Sequence, residues 1–569
     1  MPVLKTFRWI TLAPVTLLIG SVAASQNPAP TPSPTPQSSP AQSPALAPLP
    51  QPQARSSVTF DGFVDAALIQ ERRLITLMRY YRPVVETYIQ EDAIDSKHRG
   101  EPKRDEYFLS RLDLTGKNPI NESFLPPDRA KDTGDKKLPE TPPAFAAVGF
   151  AQAVFPDLDH FDRQNYTFEF VRWEALGEVR CAVIDVNPVA NSDNRGLVGR
   201  IWVEDQDFNI VRFNGTYLGK GLSKRAFHFD SWRLNTLGIM WMPAYVYTEE
   251  SDPHDPSNRT PWFKAQTRIW GYDLAHAGDH REWTKPLTEN PIWFDPNRHE
   301  ASQDLSPLFT LGKTDYTADD EVVERLQVAG LMAPDGDVDR ILETVTNNLR
   351  ITNNLNVAGV RCRVLLTTPL ESFVVGRTIV VSRGLIDVLP DEATLAAVLA
   401  HELAHIVLGH SLGSEYLSGF NLPFSDLEIF AKYSFRFDPA QEADADKKGL
   451  ELISKSPYKD KIVNMALFLK ALETHSPQLP NLLHGRFSND FASSHLVGMT
   501  DLATSSKHLK LDPPNQLAAL PLGSRIKVDP WSDRIEMANN QPIGQISALK
   551  KLPFEITPFF PYLKRREDH

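Results

Sequence analysis

The stretch 391–411 is rich in Ala and Leu and has no Pro or Gly before Gly409, which leaves it one regular conformation, an α-helix. Leu395, Val398, Leu399, Ile406 and Val407 draw an apolar stripe along it. The same stretch contains His401-Glu402-Leu403-Ala404-His405. Residues four apart lie on one helix face, so His401 and His405 can offer two imidazoles to one metal ion, with Glu402 beside them. That pattern is a zinc-hydrolase arrangement. Two histidines also meet by accident on core helices, so the pattern is weighed with its surroundings.

The 569 residues are enough for two or three domains with sizeable cores. A net charge of -12 argues against nucleic acid as a partner, because phosphate binding needs a basic face. The chain opens with Lys5 and Arg8, an apolar run 9–19 and the small residues Val22-Ala23-Ala24-Ser25, which reads as a secretory signal peptide over 1–25. An uncleaved anchor is the alternative, although the run is short for a bilayer and contains Pro14. No later stretch reaches the length of a transmembrane helix. Cys181 and Cys362 are expected as two buried free thiols.

Residues 26–56 hold ten of the 46 prolines and are expected as a disordered tether. Helical spacing over 63–80 precedes a strand at 84–89, and 118–143 reads as a long loop. Seven segments rich in aromatic and β-branched residues follow, at 166–173, 179–186, 199–204, 210–217, 225–232, 240–248 and 263–272, separated by Asp, Asn and Gly. Residues 57–275 are thus expected as an antiparallel β domain with one flanking helix. Its hairpins bear a loose resemblance to the curved sheets of periplasmic lipoprotein-carrier and sigma-regulator proteins.

A polar segment 273–304 precedes a metal-bearing domain over 305–510. There, Val338, Ile341, Leu342, Val345 and Leu349 predict a helix, and 362–366 and 378–382 predict two strands. The second of these strands, if its edge is free, suits an extended peptide held by strand addition across the metal. Residues 459–476 read as a packing helix. The last part, 511–569, is expected as a hairpin at 525–528 and 534–537, followed by an extended, proline-rich arm at 552–562.

Zinc hydrolases take three protein ligands and leave a position for water. The best third ligand is Glu442, in the first turn of a helix started by Asp438 as N-cap, Pro439 and Gln441. Taken alone, Glu442 also fits a solvated acid at a helix N-terminus. Asp446 shares its face and is placed to accept a hydrogen bond from the far nitrogen of a ligand histidine. His410 suggests a three-histidine pattern, but that pattern needs its third histidine at position 411, which is Ser411. His410 reads as a helix-end residue.

Residues 395–405, with Ile379-Val380-Val381-Ser382-Arg383-Gly384-Leu385 before them and Glu442-Ala443-Asp444-Ala445-Asp446 after, resemble the HtpX-like and CAAX-prenyl-endopeptidase family of zinc metallopeptidases. The resemblance covers about 320–502. It implies one Zn2+ per chain, bound by His401, His405 and Glu442, with Glu402 as catalytic base and Asp446 behind the ligands. It also implies protein or peptide substrates, unfolded or misassembled, and the signal segment sets the expected location as the periplasm or outside the cell. The family's downstream His-Pro pair and Arg are only approximated by Leu483-His484-Gly485-Arg486 and Ser494-His495-Leu496, so no oxyanion role is assigned.

The expected fold class is α+β: a mainly helical, gluzincin-type metallopeptidase domain with a small sheet, an antiparallel β domain before it and a hairpin tail after it. The rival reading is a chaperone-like or lipid- or peptide-binding protein with a structural or silent zinc site. Glu402 weighs against that rival, because a structural site needs no base. Prenyl-protein processing is disfavoured for want of membrane-spanning helices.

Overall fold

In a computed structural model of the chain, the described residues are 59–92, 102–115, 120–123, 151–189, 196–218, 226–236, 240–251, 263–272, 318–389, 391–412, 429–430, 433–461, 466, 468–469, 472–473, 476–489, 526–528 and 535–537. The signal segment, the tether, the polar segment 273–304 and the arm 552–562 lie outside them, as does His495. All described residues belong to one compact unit, 58–569. The architecture mixes α and β.

A ten-stranded sheet dominates the first half. Its strands are β1 (Val84–Asp92), β2 (Pro102–Leu112), β3 (Ile120–Ser123), β4 (Tyr166–Leu176), β5 (Val179–Pro188), β6 (Gly196–Glu204), β7 (Ile210–Leu218), β8 (Ala226–Thr236), β9 (Met240–Ser251) and β10 (Phe263–Trp270). Their order across the sheet is β3-β2-β1-β10-β9-β8-β7-β6-β5-β4. Successive hairpins carry the chain from β4 to β10, and β10 then pairs antiparallel with β1.

Side chains alternate across the strands as the period of two requires. Ala182, Ile184 and Val186 of β5 join the core under helix α1 (Phe60–Met78). Cys181 and Val183 point to the opposite face, among Trp202, Trp232 and Trp241. Both cysteines, Cys181 and Cys362, are buried and free.

The strands fall where the aromatic and β-branched runs predict them, with ends shifted by a few residues. Two were not read from the sequence. β3 occupies part of the stretch expected as a loop. β2, Pro-Lys-Arg-Asp-Glu-Tyr-Phe-Leu-Ser-Arg-Leu, is too rich in charge to look like a strand, yet Asp105, Tyr107 and Leu109 are buried on one of its faces.

That face meets the second half of the molecule. Val84 and Tyr88 of β1, Tyr107 and Leu109 of β2 and Trp270 of β10 share a core with α2 (Ala318–Val328), α3 (Asp337–Thr352) and the elements that follow. The Trp270 indole N–H donates to the Gly330 carbonyl (2.8 Å), and the Arg111 guanidinium donates to that of Ala329 (2.8 Å).

A small sheet lies in this second half, built from β11 (Arg361–Leu365), β12 (Ser372–Val375) and β13 (Thr378–Ser382) in the order β11-β13-β12. The expected peptide-holding strand 378–382 is therefore the central one, paired parallel with β11 and antiparallel with β12. Neither of its edges is free, and the edge positions fall to β11 and β12. The four apolar or hydroxyl residues of β12 carry too short a pattern to separate strand from loop.

The short helix α4 (Arg383–Val388) leads from this sheet to α5 (Glu392–Leu408), the longer helix that carries His401, Glu402 and His405. They are followed by α6 (Pro439–Ser454) and the one-turn α7 (Pro480–Leu483). Of the packing helix expected over 459–476, Ala466, Leu469 and Leu472 are described and are buried. The hairpin near the end pairs β14 (Ile526–Val528) with β15 (Ile535–Met537).

Asp339, in the first turn of α3, is buried and accepts from the Gly336 N–H (2.8 Å). Burial pushes its carboxyl up to about 7, against the pull of Arg363. The folded chain then holds a proton that the unfolded chain has released, so this group makes stability fall as pH rises from about 4 to about 7. Asp339→Asn should flatten that fall by up to about 4 kcal/mol in urea titrations across the window. Parallel pH profiles for the two proteins would show an ionised Asp339 in the fold.

Candidate metal centre

α5 begins at Asp391, whose carboxylate accepts from the Thr394 N–H (2.8 Å). Every residue from Ala393 to His405 is buried, so the helix is enclosed rather than half-wetted, which its Ala- and Leu-rich composition suits. Gly409 ends it in the left-handed region (φ 72°). That turn brings the His410 ring back against the helix, with His410 Nδ1 2.9 Å from His405 Nδ1.

α6 starts as its sequence predicts. The Asp438 carboxylate accepts from the N–H groups of Ala440 and Gln441 (2.9 Å each), and Gln441 returns to the Asp438 backbone. The helix crosses α5 at Gly449, where a Cβ would lie 3.1 Å from the Cα of His401. A side chain there would push the helices apart. The close crossing carries Glu442 and Asp446 to the histidines.

Nε2 of His401 lies 3.3 Å from Glu442 Oε2, and Nε2 of His405 lies 3.8 Å from Glu442 Oε1. The two Nε2 atoms are 3.2 Å apart. His401, His405 and Glu442 are all buried, and one ligand atom from each falls within 4.8 Å of the others. His401 Nδ1 donates to Asp446 Oδ1 (2.8 Å), which leaves Nε2 as the nitrogen turned inward for a metal. His405 Nδ1 faces His410 Nδ1 at hydrogen-bond distance, so its Nε2 is likewise the nitrogen turned towards Glu442.

Two imidazoles and a carboxylate converge here, a donor set that fits a divalent cation. The surrounding negative field is visible on His401. Burial depresses its pKa, but the bonds to Asp446 and Glu442 and the charge of Glu402 outweigh burial and push it up to about 10.

The structure thus brings together all five residues singled out in the sequence: His401, Glu402, His405, Glu442 and Asp446. It adds others that sequence reasoning missed. Ser372 of β12 donates from its hydroxyl to Glu402 Oε1 (2.6 Å). Asn489 donates from Nδ2 to Glu442 Oε1 (2.8 Å) and to the Phe437 carbonyl (3.0 Å). The Phe437 ring stacks on His405, with centroids 4.0 Å apart and planes at 17°. No local pattern announces these contacts, since Ser372 and Asn489 are brought to the helices from distant parts of the chain. His410 sits just past the Gly409 cap, and its ring also contacts that of His405.

Residues 333–426 match the family model described as peptidase family M48. This segment belongs to the M48 peptidases. The match spans β11 to β13, α4 and the whole of α5, so the chain carries a metallopeptidase segment, and proteins are its class of substrate. Glu442, Asp446 and Asn489 lie beyond the matched residues and reach the M48 helix through the α5–α6 crossing and the approach of 476–489. No curated protein matches the chain. A solved structure of a LolA superfamily protein from Nitrosomonas europaea is similar, with 11% identity, a TM-score of 0.19, and coverage of 38% of this chain and 93% of that one. Among the described residues, no helix is long and apolar enough to cross a membrane.

Partners of ligand histidines tune metal affinity by about 10–100-fold. Asp446→Ala and His410→Ala should each weaken zinc binding by about 10-fold or more, measured by competition with a chromophoric chelator. Parental affinity in a folded variant would remove that residue from the centre.

Proposed function

We propose that the chain is an exported, zinc-dependent metalloendopeptidase of gluzincin type that hydrolyses peptide bonds in unfolded or misassembled envelope proteins. The observation that carries this reading is the buried His401–His405–Glu442 cluster beside Glu402, on a helix matched to a peptidase family. Export rests on the basic, apolar and small-residue order of 1–25.

His401, His405 and Glu442 would hold the zinc, with Asp446 and His410 orienting the two imidazoles so that Nε2 turns inward. Bound there, zinc supplies Lewis acidity, which acidifies water and polarises a carbonyl. Glu402 then takes the proton from the attacking water and delivers it to the leaving amine nitrogen, so that one water is consumed for each peptide bond cut. Ser372 holds Glu402 by its Oε1 and so fixes the base beside the histidines. β12 lies at the edge of the small sheet, with Ser372 touching the base, so a substrate added as an extended strand along β12 would pass beside Glu402.

The test is cleavage of casein by the zinc-loaded protein beside a Glu402→Gln variant of equal zinc content. Loss of the base should slow cleavage by about 100-fold or more. A variant that cleaves at the parental rate would overturn the assignment of Glu402. A parent that holds one zinc and cleaves no unfolded protein would overturn the endopeptidase reading.

A further inference from the structure

Two buried carboxylates of the ten-stranded sheet lie on the face that meets the M48 half. Glu86 of β1 is saturated with donors from across that boundary and from its own sheet. Its Oε1 accepts from the Thr368 N–H (2.6 Å) and the Tyr107 hydroxyl (2.8 Å), and its Oε2 from the Thr368 hydroxyl (2.7 Å) and the Arg383 guanidinium (2.9 Å). Asp105 of β2 is used in the same way. Its Oδ1 accepts from the Asn481 N–H (3.0 Å) and side-chain amide (3.1 Å), and its Oδ2 from the Leu482 N–H (2.8 Å) and the Tyr88 hydroxyl (3.2 Å).

Each carboxylate grips a segment that ends at the metal centre. Thr368 belongs to the connection from β11 to β12. Leu370 N–H donates from that connection to the Leu482 carbonyl (2.8 Å), and the Ser382 hydroxyl donates to the Pro369 carbonyl (2.6 Å). The connection finishes at Ser372, whose hydroxyl holds Glu402. Asn481 and Leu482 open the segment that runs through α7. Phe487 N–H on it donates to Glu371 Oε1 (2.7 Å), and Arg436 binds the carbonyls of Gly485 (3.0 Å) and Ser488 (2.8 Å). That segment finishes at Asn489, whose amide holds Glu442.

We infer that Glu86 and Asp105 are positioning residues of the active site, Glu86 acting on the base Glu402 through 368–372 and Asp105 on the ligand Glu442 through 481–489. The sheet is on this account one wall of the catalytic frame and not an appended binding module. The inference rests on the proposed peptidase function for its catalytic half, whereas its metal half is read out without activity.

The two anchors predict a split that general loss of stability does not produce. In the full-length, zinc-loaded protein, Glu86→Gln should lower kcat by about 10-fold or more with KM and zinc affinity within about 2-fold of the parent, since a small misplacement of a catalytic group is costly. Asp105→Asn should weaken zinc binding, by chelator competition, by about 10-fold. Glu71→Gln is the control. Glu71 pairs with Arg233 (2.6 and 2.7 Å) under α1, in the core on the other side of the sheet, so its loss should lower Tm and leave kcat and zinc affinity alone.

If Glu86→Gln and Asp105→Asn lower Tm but keep parental kcat and zinc affinity, both carboxylates are structural and the inference fails. If either variant does not fold, Thr368→Val and Asn481→Ala, which keep the backbone N–H bonds, must show the same split, and parental behaviour in both sinks it. A parent that binds zinc without cleaving would count against the peptidase reading, and zinc affinity in Asp105→Asn and Asn481→Ala would still decide the positioning claim.

Discussion

The crossing of α5 and α6 at Gly449 is the contact on which the rest of the centre depends. Two histidines four apart on one helix are half a site. The other half arrives only because a glycine lets a second helix lie against the backbone of His401, at a separation that a Cβ would crowd at 3.1 Å. From that approach follow the placement of Glu442 between the two Nε2 atoms, the bond from Asp446 that sets one tautomer, and the buried negative field that lifts the His401 pKa to about 10. A site that concentrates acids around imidazoles in this way is suited to a cation.

A second constraint is electrostatic and joins the two halves of the molecule. Glu86 and Arg383 are both almost wholly buried, and each gives up its hydration to meet the other. Such a pair adds little net stability, while removal of one partner costs roughly 3–5 kcal/mol because the other is stranded. Its value is in specificity, since four donors fill the two oxygens of Glu86 and leave one docking of the sheet on the connection 366–371 that satisfies them. The sheet and the catalytic helices are thereby set with respect to each other by hydrogen-bond geometry as well as by the shared apolar core.

The legible parts of the chain were those in which one local physical rule acts without competition. Asp438, Pro439 and Gln441 mark a helix start because capping is settled within a few residues, and the structure forms that cap bond for bond. The hairpins from β4 to β10 were legible because alternating aromatic and β-branched residues between Asp, Asn and Gly turns have few other uses. β2 was not, because its charged residues look like a solvated segment when their buried partners, Asn481 and Leu482, lie hundreds of residues away. Glu86, Tyr88 and Gln90 alternate on one face of β1 and are all buried, with Tyr88 in the core shared with the second half. Whether 378–382 has a free edge was not legible either, since strand order in a sheet is a non-local property and β12 is too short to show itself.

By itself the sequence determined that a buried helix presents His401 and His405 on one face with Glu402 beside them, that a capped helix begins at Asp438 and places Glu442 and Asp446 on one face, and that most of the first half is antiparallel strand. These follow from periodicity and capping, which act over a few residues. Tertiary structure alone decided that the two helices cross at Gly449, that Ser372 rather than a residue of the central strand touches Glu402, that Asn489 holds Glu442, and that Glu86 and Asp105 of the sheet reach the loops behind them. Those contacts join residues far apart in the chain, and their energies depend on burial and on the direction of a hydrogen bond, neither of which has a value until the chain is folded.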